Sequence, residues 1–343
     1  MPLEEWIKAE AFSLGFVLCG FSRAGPPPHH EAYLGWIEAG HHGVMAYLAR
    51  PSGIEARGDP TRLLPGCRTV ISLAASYPVP SSAGEPGQHQ GRIAAYALLP
   101  DYHQVLKDRA EVLAQSIAKE IDQPLRHLVC VDTAPILEKD YAQLSGLGWI
   151  ARNSCLTSRV YGSRLFLCEL LVDLPLAPDM PLKENGCADC DLCLRACPTK
   201  AILPNRSIDA RRCISCLTIE HRGPILTAFR PLIGQRLFGC DTCQAVCPFN
   251  RGAPHPTVLF DPTLALDPHP DLLESLLLTG AEFKARYAHT PVLRTKLQGF
   301  RRNAAIALGN SRLEESLPAL RRCAADEPDE VVREAAQWAL SRF

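Results

Sequence analysis

Helix-like and strand-like hydrophobic patterns alternate along the first half of the chain. Between residues 103 and 121, apolar side chains recur at helical spacing, which predicts an amphipathic helix. Short apolar runs at 69–76, 128–131 and 166–172 predict buried strands. Because helices alternate with short strands, we expect an α/β or α+β domain that ends near residue 180.

A different pattern occupies the C-terminal end. Segment 300–308 aligns without gaps on segment 332–340, and this period of 32 residues resembles short HEAT-like helical repeats. Two repeats are too few to stand alone, so we expect them to pack on the rest of the protein. A proline-rich linker precedes the middle of the chain, at Pro175, Pro178 and Pro181. The chain is therefore predicted to form three domains, at 1–182, 183–253 and 254–343.

Closely spaced cysteines mark the middle domain. Residues 187–198 read C-x2-C-x2-C-x3-C-P, and residues 240–248 read C-x2-C-x3-C-P. The first spacing is that of bacterial ferredoxins, in which three thiolates hold one [4Fe–4S] cluster and the cysteine before proline ligates the other. By this exchange rule the first cluster takes Cys187, Cys190, Cys193 and Cys247. The second takes Cys240, Cys243, Cys197 and either Cys213 or Cys216, which spacing alone does not distinguish.

Zinc is the alternative for these cysteines, because C-x2-C pairs also form four-cysteine zinc sites. The repeated pattern ending in Cys-Pro favours two iron–sulfur clusters instead. Metal-type spacings in a chain with 15 cysteines and no signal sequence favour a reducing cytoplasm over disulfide bonding. No apolar run reaches about 18 residues, so no membrane span is expected.

Two clusters transfer single electrons, so an acceptor is expected nearby. Neither a G-x-G-x-x-G nor a G-x-x-x-x-G-K-[ST] signature occurs, which leaves the first domain or a partner protein as the acceptor. In the first domain, Asp132 directly follows a predicted strand and precedes the glycine-rich loop 146–155. A carboxylate in that position is a candidate catalytic acid. The alternative for Asp132 is a helix N-cap.

One basic segment stands out in a chain whose net charge is −1. Residues 283–313 contain no Asp or Glu, and their basic residues are Lys284, Arg286, Arg294, Lys296, Arg301, Arg302 and Arg312. Such a local excess of positive charge indicates contact with the phosphates of a nucleic acid. The alternative is a solvated helix face.

Several motifs, in order along the chain, resemble those of epoxyqueuosine reductases. They lie at 58–60, 64–66, 101–103, 131–138, 148–153, 161–163, the cysteine block and 302–310. The resemblance implies an α+β fold with a cobalamin-binding α/β N-terminal domain, a ferredoxin-like two-cluster domain and C-terminal HEAT-like repeats. It implies a cytoplasmic oxidoreductase that reduces epoxyqueuosine to queuosine at the wobble position of tRNA, the last step of queuosine biosynthesis. The implied partners are the tRNA anticodon arm and an external electron donor, and we expect a monomer.

Individual roles also follow from the resemblance. The proton donor falls on Asp132, and Cys213 completes the second cluster, which leaves Cys216 as a spare thiol. Corrinoid contacts fall on Asp132, Arg57, Asn153, Leu156 and Gly162, with Ser215 and Asp241 where cluster and corrinoid meet. The tRNA contacts are expected from charge rather than from the resemblance, at Arg294, Lys296, Arg301 and Arg302 of the basic segment and at Arg222 of a second basic set between residues 211 and 236.

The sequence departs from the family in two places and lacks one cobalamin signature. Ala151 and Arg152 replace the usual glycine and lysine, and Ala95 replaces an arginine, so that one polar contact is lost or replaced. The signature Asp-x-His-x-x-Gly is not met at 101–106, in agreement with a family that binds the corrinoid without a histidine ligand. His103 is therefore expected to be structural or to contact the substrate.

If Asp132 donates a proton near neutral pH, its pKa must be raised, and burial in an apolar corrinoid pocket would raise it. Two other functions stay open. A reductive dehalogenase-like corrinoid enzyme would have no need of a basic helical tail. A simple two-cluster electron-transfer protein would bind neither cobalamin nor tRNA.

Overall fold

The structure is a computed structural model, and it describes residues 1–79, 84–182, 185–256 and 259–343. Its strands are β1 (Leu18–Arg23), β2 (Thr69–Ser76), β3 (Arg92–Ile93), β4 (His127–Cys130), β5 (Trp149–Ile150), β6 (Leu156–Thr157), β7 (Leu165–Val172) and β8 (Arg236–Phe238). Its α-helices are α1 (Leu3–Ser13), α2 (His30–Glu38), α3 (Pro51–Gly58), α4 (Tyr102–Glu120), α5 (Glu138–Leu144), α6 (Leu192–Ala196), α7 (Ile214–Ile219), α8 (Arg230–Ile233), α9 (Thr242–Ala245), α10 (Leu272–Leu277), α11 (Gly280–Arg286), α12 (Lys296–Ser311), α13 (Leu317–Asp326) and α14 (Glu330–Leu340).

An antiparallel sheet of four strands forms the core of the first domain. Its order is β1-β2-β7-β4, and every residue of β2 is buried. The predicted strands at 69–76, 128–131 and 166–172 are confirmed to within one residue. Strand β1 was not predicted, because its sequence mixes glycine, serine and arginine with three apolar residues.

Helix α4 covers one face of this sheet, and its first turn faces the candidate site. The predicted helix at 103–121 is confirmed. Asp101 is its N-cap, and the Asp101 carboxylate accepts a hydrogen bond from the His103 backbone N–H at 3.1 Å. The neighbouring Tyr102 ring stacks on Phe166 of β7 at a centroid distance of 4.2 Å. Capping and stacking together fix the first turn of α4 on the sheet.

The cysteine block folds into short helices joined by turns. Helices α6 and α9, which carry part of each cysteine run, pack against each other. Strand β8 pairs in parallel with β3 of the first domain. This pairing ties the block to the N-terminal part of the chain. The domain boundary predicted at 182/183 lies at residues 183–184, outside the described residues.

The C-terminal helices form the repeat that the sequence predicts. The two aligned segments lie on α12 and α14, which pack closely together. Gly309 makes the close approach possible, because a Cβ at this position would lie 2.7 Å from the Cα of Ala339. As expected, α12 also packs on the cysteine block, through α7, α8 and β8. Within the described ranges, no helix has both the length and the apolar character that a membrane crossing requires.

Candidate active site

Asp132 lies in a sharp turn directly after β4. Its φ is +43°, a left-handed conformation that Asp and Asn adopt more readily than most residues. Thr133 N–H donates to the Val131 carbonyl and closes the turn. Asp132 is not a helix cap, because α5 begins at Glu138 with Leu137 in the cap position. The turn therefore places Asp132 at the end of a sheet strand, outside any helix.

Three cavities meet at the Asp132 side chain, which is 46% exposed. The Cys213 cavity, of about 940 Å³, is also lined by Tyr96, Cys213 and Ser215. The Ser154 cavity, of about 500 Å³, is bordered by Arg57, Lys139 and Ser154. The Cys155 cavity, of about 190 Å³, contains Cys155, Leu156 and Tyr102. A carboxylate from the first domain thus faces a predicted cluster ligand across one cavity.

A histidine connects two carboxylates at this site. His103 Nδ1 lies 2.7 Å from Asp101 Oδ1, and His103 Nε2 lies 3.0 Å from Asp132 Oδ2. Burial lowers the pKa of His103, but its hydrogen bonds to Asp101 and Asp132 outweigh burial and raise that pKa to about 9. At neutral pH the imidazole therefore carries its proton, between two acceptors.

The expectation that the pKa of Asp132 is raised is wrong for this structure. Burial does raise the pKa of Asp132, but the hydrogen bond and positive charge of His103 lower it by more, with smaller contributions from Lys139 and Arg294. The net pKa lies below the ordinary value. Sequence reasoning missed this outcome because it considered the apolar pocket without the neighbouring cations.

Electrostatic interactions link several of the predicted cluster cysteines to one another. Burial raises the pKa of Cys247, and negative charge at Cys187 and Cys190 raises it further. For Cys213, burial again raises the pKa, and the cysteines that interact with it electrostatically are Cys240 and Cys197. These neighbours are the ones that the exchange rule assigns to each cluster.

No three Cys, His, Asp or Glu side chains of the described residues are close enough to share one metal ion. A [4Fe–4S] cluster differs from a single zinc ion in this respect, because it binds each thiolate at a separate iron. Position in the structure does not decide between Cys213 and Cys216. Both side chains line the Cys213 cavity, so only the family resemblance favours Cys213 as the ligand.

The residues expected to contact the corrinoid are only partly brought together. Arg57, Leu156 and Ser215 each line a cavity that Asp132 also lines. Asn153 is buried, and its side-chain oxygen accepts a hydrogen bond from Cys155 N–H at 3.3 Å. Gly162 has a φ of +64° and packs against the Phe249 carbonyl and Asn250.

Asp241 lies outside these cavities and has a different partner. Its carboxylate accepts a hydrogen bond from the Ala95 backbone N–H at 3.0 Å and lines a separate cavity of about 160 Å³. Ala95 is the position at which the family usually has arginine. In this chain a backbone amide therefore supplies a polar contact there.

The predicted tRNA contacts divide by their partners. Lys296 is exposed, and none of the described acidic residues pairs with it. Arg294 lines the Cys213 cavity, pairs with Glu220 and reaches the Tyr47 hydroxyl at 3.4 Å. Arg222 is exposed, although its guanidinium donates to three backbone carbonyls.

The prediction that Arg302 contacts tRNA is wrong. Arg302 is fully buried, and its five N–H donors all have acceptors in the protein. The acceptors are the carbonyls of Leu217, His221 and Gly223 and the side-chain oxygen of Asn303. Arg301 also has partners within the protein, because its guanidinium pairs with Glu327 and donates to the Leu276 carbonyl.

Sequence reasoning missed several functional candidates. Asp101 was identified only as part of a motif, and His103 was expected to be structural or to contact the substrate. The link from His103 to Asp132 depends on two elements distant in sequence. Lys139 pairs with Glu138 at 3.0 Å beside Asp132. Burial raises the pKa of Cys155 to about 11, so this thiol stays neutral between Lys139 and the cluster cysteines. For these two residues, the signal in the sequence was only their nearness to the 131–138 and 148–153 motifs.

Family models match three parts of the chain. Residues 186–250 match the 4Fe-4S double cluster binding domain, and residues 267–341 match HEAT repeats. These matches confirm the predicted ferredoxin-like two-cluster domain and the predicted HEAT-like repeats. Residues 57–133 match a family described as epoxyqueuosine reductase QueG, DUF1730.

Whole-chain comparisons give the same family name. The chain is 40% identical over 347 residues to the epoxyqueuosine reductase of Pseudomonas aeruginosa, which covers 99% of this chain and 94% of that protein. It is 36% identical to the Escherichia coli K12 protein of the same name, with 99% and 89% covered. A crystal structure of epoxyqueuosine reductase with an epoxyqueuosine-modified tRNA-Tyr stem loop superposes with a TM-score of 0.90 at 31% identity, covering 99% and 90%. A structure of epoxyqueuosine reductase from Bacillus subtilis, with its catalytic aspartate loop swung out of the active site, superposes with a TM-score of 0.88 at 30% identity. The match covers 99% of this chain and 90% of that one.

Proposed function

The chain belongs to the epoxyqueuosine reductase family, and we infer that it is an oxidoreductase that reduces epoxyqueuosine to queuosine in tRNA. The reaction consumes two electrons and two protons and releases water. The dehalogenase-like and simple electron-transfer alternatives are not favoured, because relatives over the whole length share this one activity. The observation that carries the proposal is the position of Asp132, which faces the predicted cluster ligand Cys213 across one cavity.

Cobalamin fits the space around Asp132. The three cavities adjoin at this carboxylate, and aromatic side chains that suit a flat macrocycle line them, among them Trp36, Tyr96, Tyr102 and Phe238. Arg57, Ser154, Leu156 and Ser215 are the residues that would hold the corrinoid. When bound, it would supply strongly reducing cobalt chemistry for opening the epoxide.

Asp132 and His103 would handle the protons as a pair. His103 stores a proton at neutral pH, and Asp132 accepts its hydrogen bond. The proton shared by the pair can reach the departing epoxide oxygen through Asp132, so that no free alkoxide has to leave. Asp101 holds the far side of the imidazole and fixes its orientation. The proposed proton donor is thus a carboxylate reloaded by a histidine, rather than a carboxylic acid with a raised pKa.

The clusters would deliver electrons in a fixed order. Cys213, a proposed ligand of the second cluster, lines the cavity that contains Asp132. The proposed ligands of the first cluster, Cys187, Cys190, Cys193 and Cys247, line none of the three cavities that meet at Asp132. We expect an external donor to reduce the first cluster and the second to serve the corrinoid site.

The tRNA would approach from the side of Arg294 and Lys296. Arg294 is already held by Glu220 at the cavity wall, which suits a residue that positions a nucleotide. Lys296, which has no acidic partner among the described residues, is available beside it for contact with a phosphate. Arg222 is a third candidate, through the part of its guanidinium edge that remains exposed.

One experiment tests the central assignment. The protein would be reconstituted anaerobically with iron, sulfide and cobalamin, then supplied with a chemical reductant and epoxyqueuosine-containing tRNA. Asp132→Asn should lower turnover at least about 100-fold, because proton transfer is lost. Asn tolerates the left-handed turn, so both clusters and cobalamin should remain bound. Mass analysis of nucleosides measures queuosine, and full activity of the variant would refute the assignment.

A further inference from the structure

A second group of basic residues lies near the turn at Asp132. It is outside the basic segment 283–313. Arg50, Arg57 and Arg62 line a cavity of about 540 Å³, here called the arginine cavity. Arg50 and Arg62 are exposed, and no described acidic side chain forms an ion pair with either. Glu55 is the acidic residue in the lining. The arginine cavity therefore carries positive charge that the described residues do not neutralise.

The arginine cavity continues the active site. Thr133 and Tyr47 line both the arginine cavity and the Cys213 cavity. On its other side, the Tyr47 hydroxyl contacts Arg294 at 3.4 Å. Positive charge thus extends from Arg294 past Tyr47 to Arg50 and Arg62. Arg57 is the fixed member, because it donates to the Gly53 carbonyl and lies over the Tyr33 ring.

The charge of the neighbouring active site explains why such a group is needed. Asp101, Asp132 and Glu220 all line the Cys213 cavity, and they would repel an approaching polyanion. His103 and Arg294 neutralise these carboxylates by direct pairing and leave little positive charge for a ligand. Arginines of the adjoining cavity, which form no ion pair with a described acidic residue, can supply this positive charge. Guanidinium groups bind phosphate oxygens in a bidentate manner.

We propose that Arg50 and Arg62 bind a phosphodiester of the anticodon loop next to the nucleotide that enters the Cys213 cavity. This inference rests on the proposed function, because it requires tRNA at that cavity. The two arginines hold the strand on one side of Tyr47, while Arg294 and Lys296 hold it on the other. The wobble nucleotide is then the one that lies between these two sets of basic residues, at the entrance to the Cys213 cavity. The corrinoid also contains a phosphodiester, in its nucleotide tail, and the experiment separates the two sources.

The test compares Arg50→Gln/Arg62→Gln with the matched control Arg109→Gln/Lys119→Gln. The control makes the same change of charge on exposed positions of α4. Affinity for an epoxyqueuosine-bearing anticodon stem loop would be measured over a range of salt concentrations. Each lost phosphate contact should reduce the slope of log K against log salt by about one, and affinity should fall about tenfold at low salt. The control should match the wild type, and the KM of the double variant should rise with little change in kcat.

Two results would overturn the proposal. An unchanged salt slope would show that these arginines do not contact the RNA. A loss of cobalamin affinity, titrated by absorbance, with unchanged RNA affinity would assign the arginine cavity to the corrinoid tail. Both cluster absorbance and thermal unfolding should stay at wild-type values, since the two side chains are exposed. Failure of the proposed function itself would appear separately, as wild-type protein that does not form queuosine.

Discussion

Arginine side chains do opposite things in two regions of this molecule. At the junction of α12 and the cysteine block, Arg302 is buried and all five of its N–H donors are bound by protein acceptors. In the arginine cavity, Arg50 and Arg62 carry the same group without a described acidic partner. Both kinds look alike in the sequence as basic residues near a motif. The difference shows that the location of acceptors, rather than charge density, separates an arginine that holds the fold from one that can bind a ligand.

The junction around Arg302 has a further role, because it fixes α7. Asn303 donates both of its amide hydrogens, to the carbonyls of Thr218 and Leu237 at 2.9 and 2.8 Å. With Arg302, it holds the end of the helix that starts after Cys213. Burial lowers the pKa of Arg302 to about 9, so the guanidinium remains charged at neutral pH. The HEAT-like helices thus position Cys213, a predicted cluster ligand, through hydrogen bonds.

Replacement of Arg302 gives the largest expected effect, a loss of folding stability. It is the strongest test of the difference between the buried arginine and the exposed ones. Arg302→Met should lower the free energy of unfolding by about 3–5 kcal/mol, because several buried carbonyls lose their donors. Thermal unfolding of the reconstituted protein measures this, together with the absorbance of the second cluster. Arg322→Met, at an exposed position of α13, is the matched control and should change stability by less than about 0.5 kcal/mol. A similar loss in both variants would contradict the distinction.

His103 gives the next largest effect, on the reaction rather than on the fold. His103→Gln keeps hydrogen-bonding groups but cannot store a proton, so single turnover at neutral pH should slow about 10- to 100-fold. In the wild type, the rate should fall as pH rises through about 9, where His103 loses its proton. The variant should lack this alkaline limb. A wild-type profile that is flat up to pH 10 would exclude His103 as the proton store.

Glu169 tests whether a buried polar group without a partner always marks a binding site. It lies in the middle of β7, fully buried, and neither carboxyl oxygen has a hydrogen-bond partner among the described residues. Burial raises the pKa of Glu169 well above its ordinary value, with negative charge at Glu138 adding to the effect. The folded protein therefore keeps a proton that the unfolded chain releases above its ordinary pKa, and stability falls as pH rises from that value.

Glu169→Gln should remove this dependence, which amounts to at most about 1.4 kcal/mol per pH unit. Urea unfolding at pH 5 to 8 measures it, and the two proteins should differ more at pH 8 than at pH 5. Catalysis should be unchanged if the residue is structural. A loss of turnover without a change in stability would instead make Glu169 part of the proton supply.

Lys296 gives the smallest expected effect. Lys296→Gln should weaken binding of the anticodon stem loop by about two- to fivefold and reduce the salt slope by about one. Stability should change by less than about 0.5 kcal/mol, because the side chain is exposed and unpaired among the described residues. Fluorescence anisotropy at several salt concentrations is sufficient. Equal affinity at every salt concentration would remove Lys296 from the interface.

The parts that the sequence predicts well depend on local pattern. Strands β2 and β7, helix α4 and the cysteine spacings all follow from periodicity or from a motif of fixed spacing. The predictions that went wrong depend on partners distant in the chain. The pKa of Asp132 is set by His103, and the burial of Arg302 by carbonyls at 217–223. No local pattern contains that information, because charge counts do not say which donors will meet an acceptor.

The strand order also constrains how the protein is made on the ribosome. Strand β7 lies between β2 and β4, so the sheet beneath Asp132 cannot form until residue 172 has left the exit tunnel. Pairing of β3 with β8 waits for residue 238, and the cavity wall at Arg294 comes later still. Such long-range contacts form slowly. Assembly of the two predicted clusters and loading of the proposed cobalamin would therefore follow translation of most of the chain. Supply of either cofactor to a nascent chain would come too early.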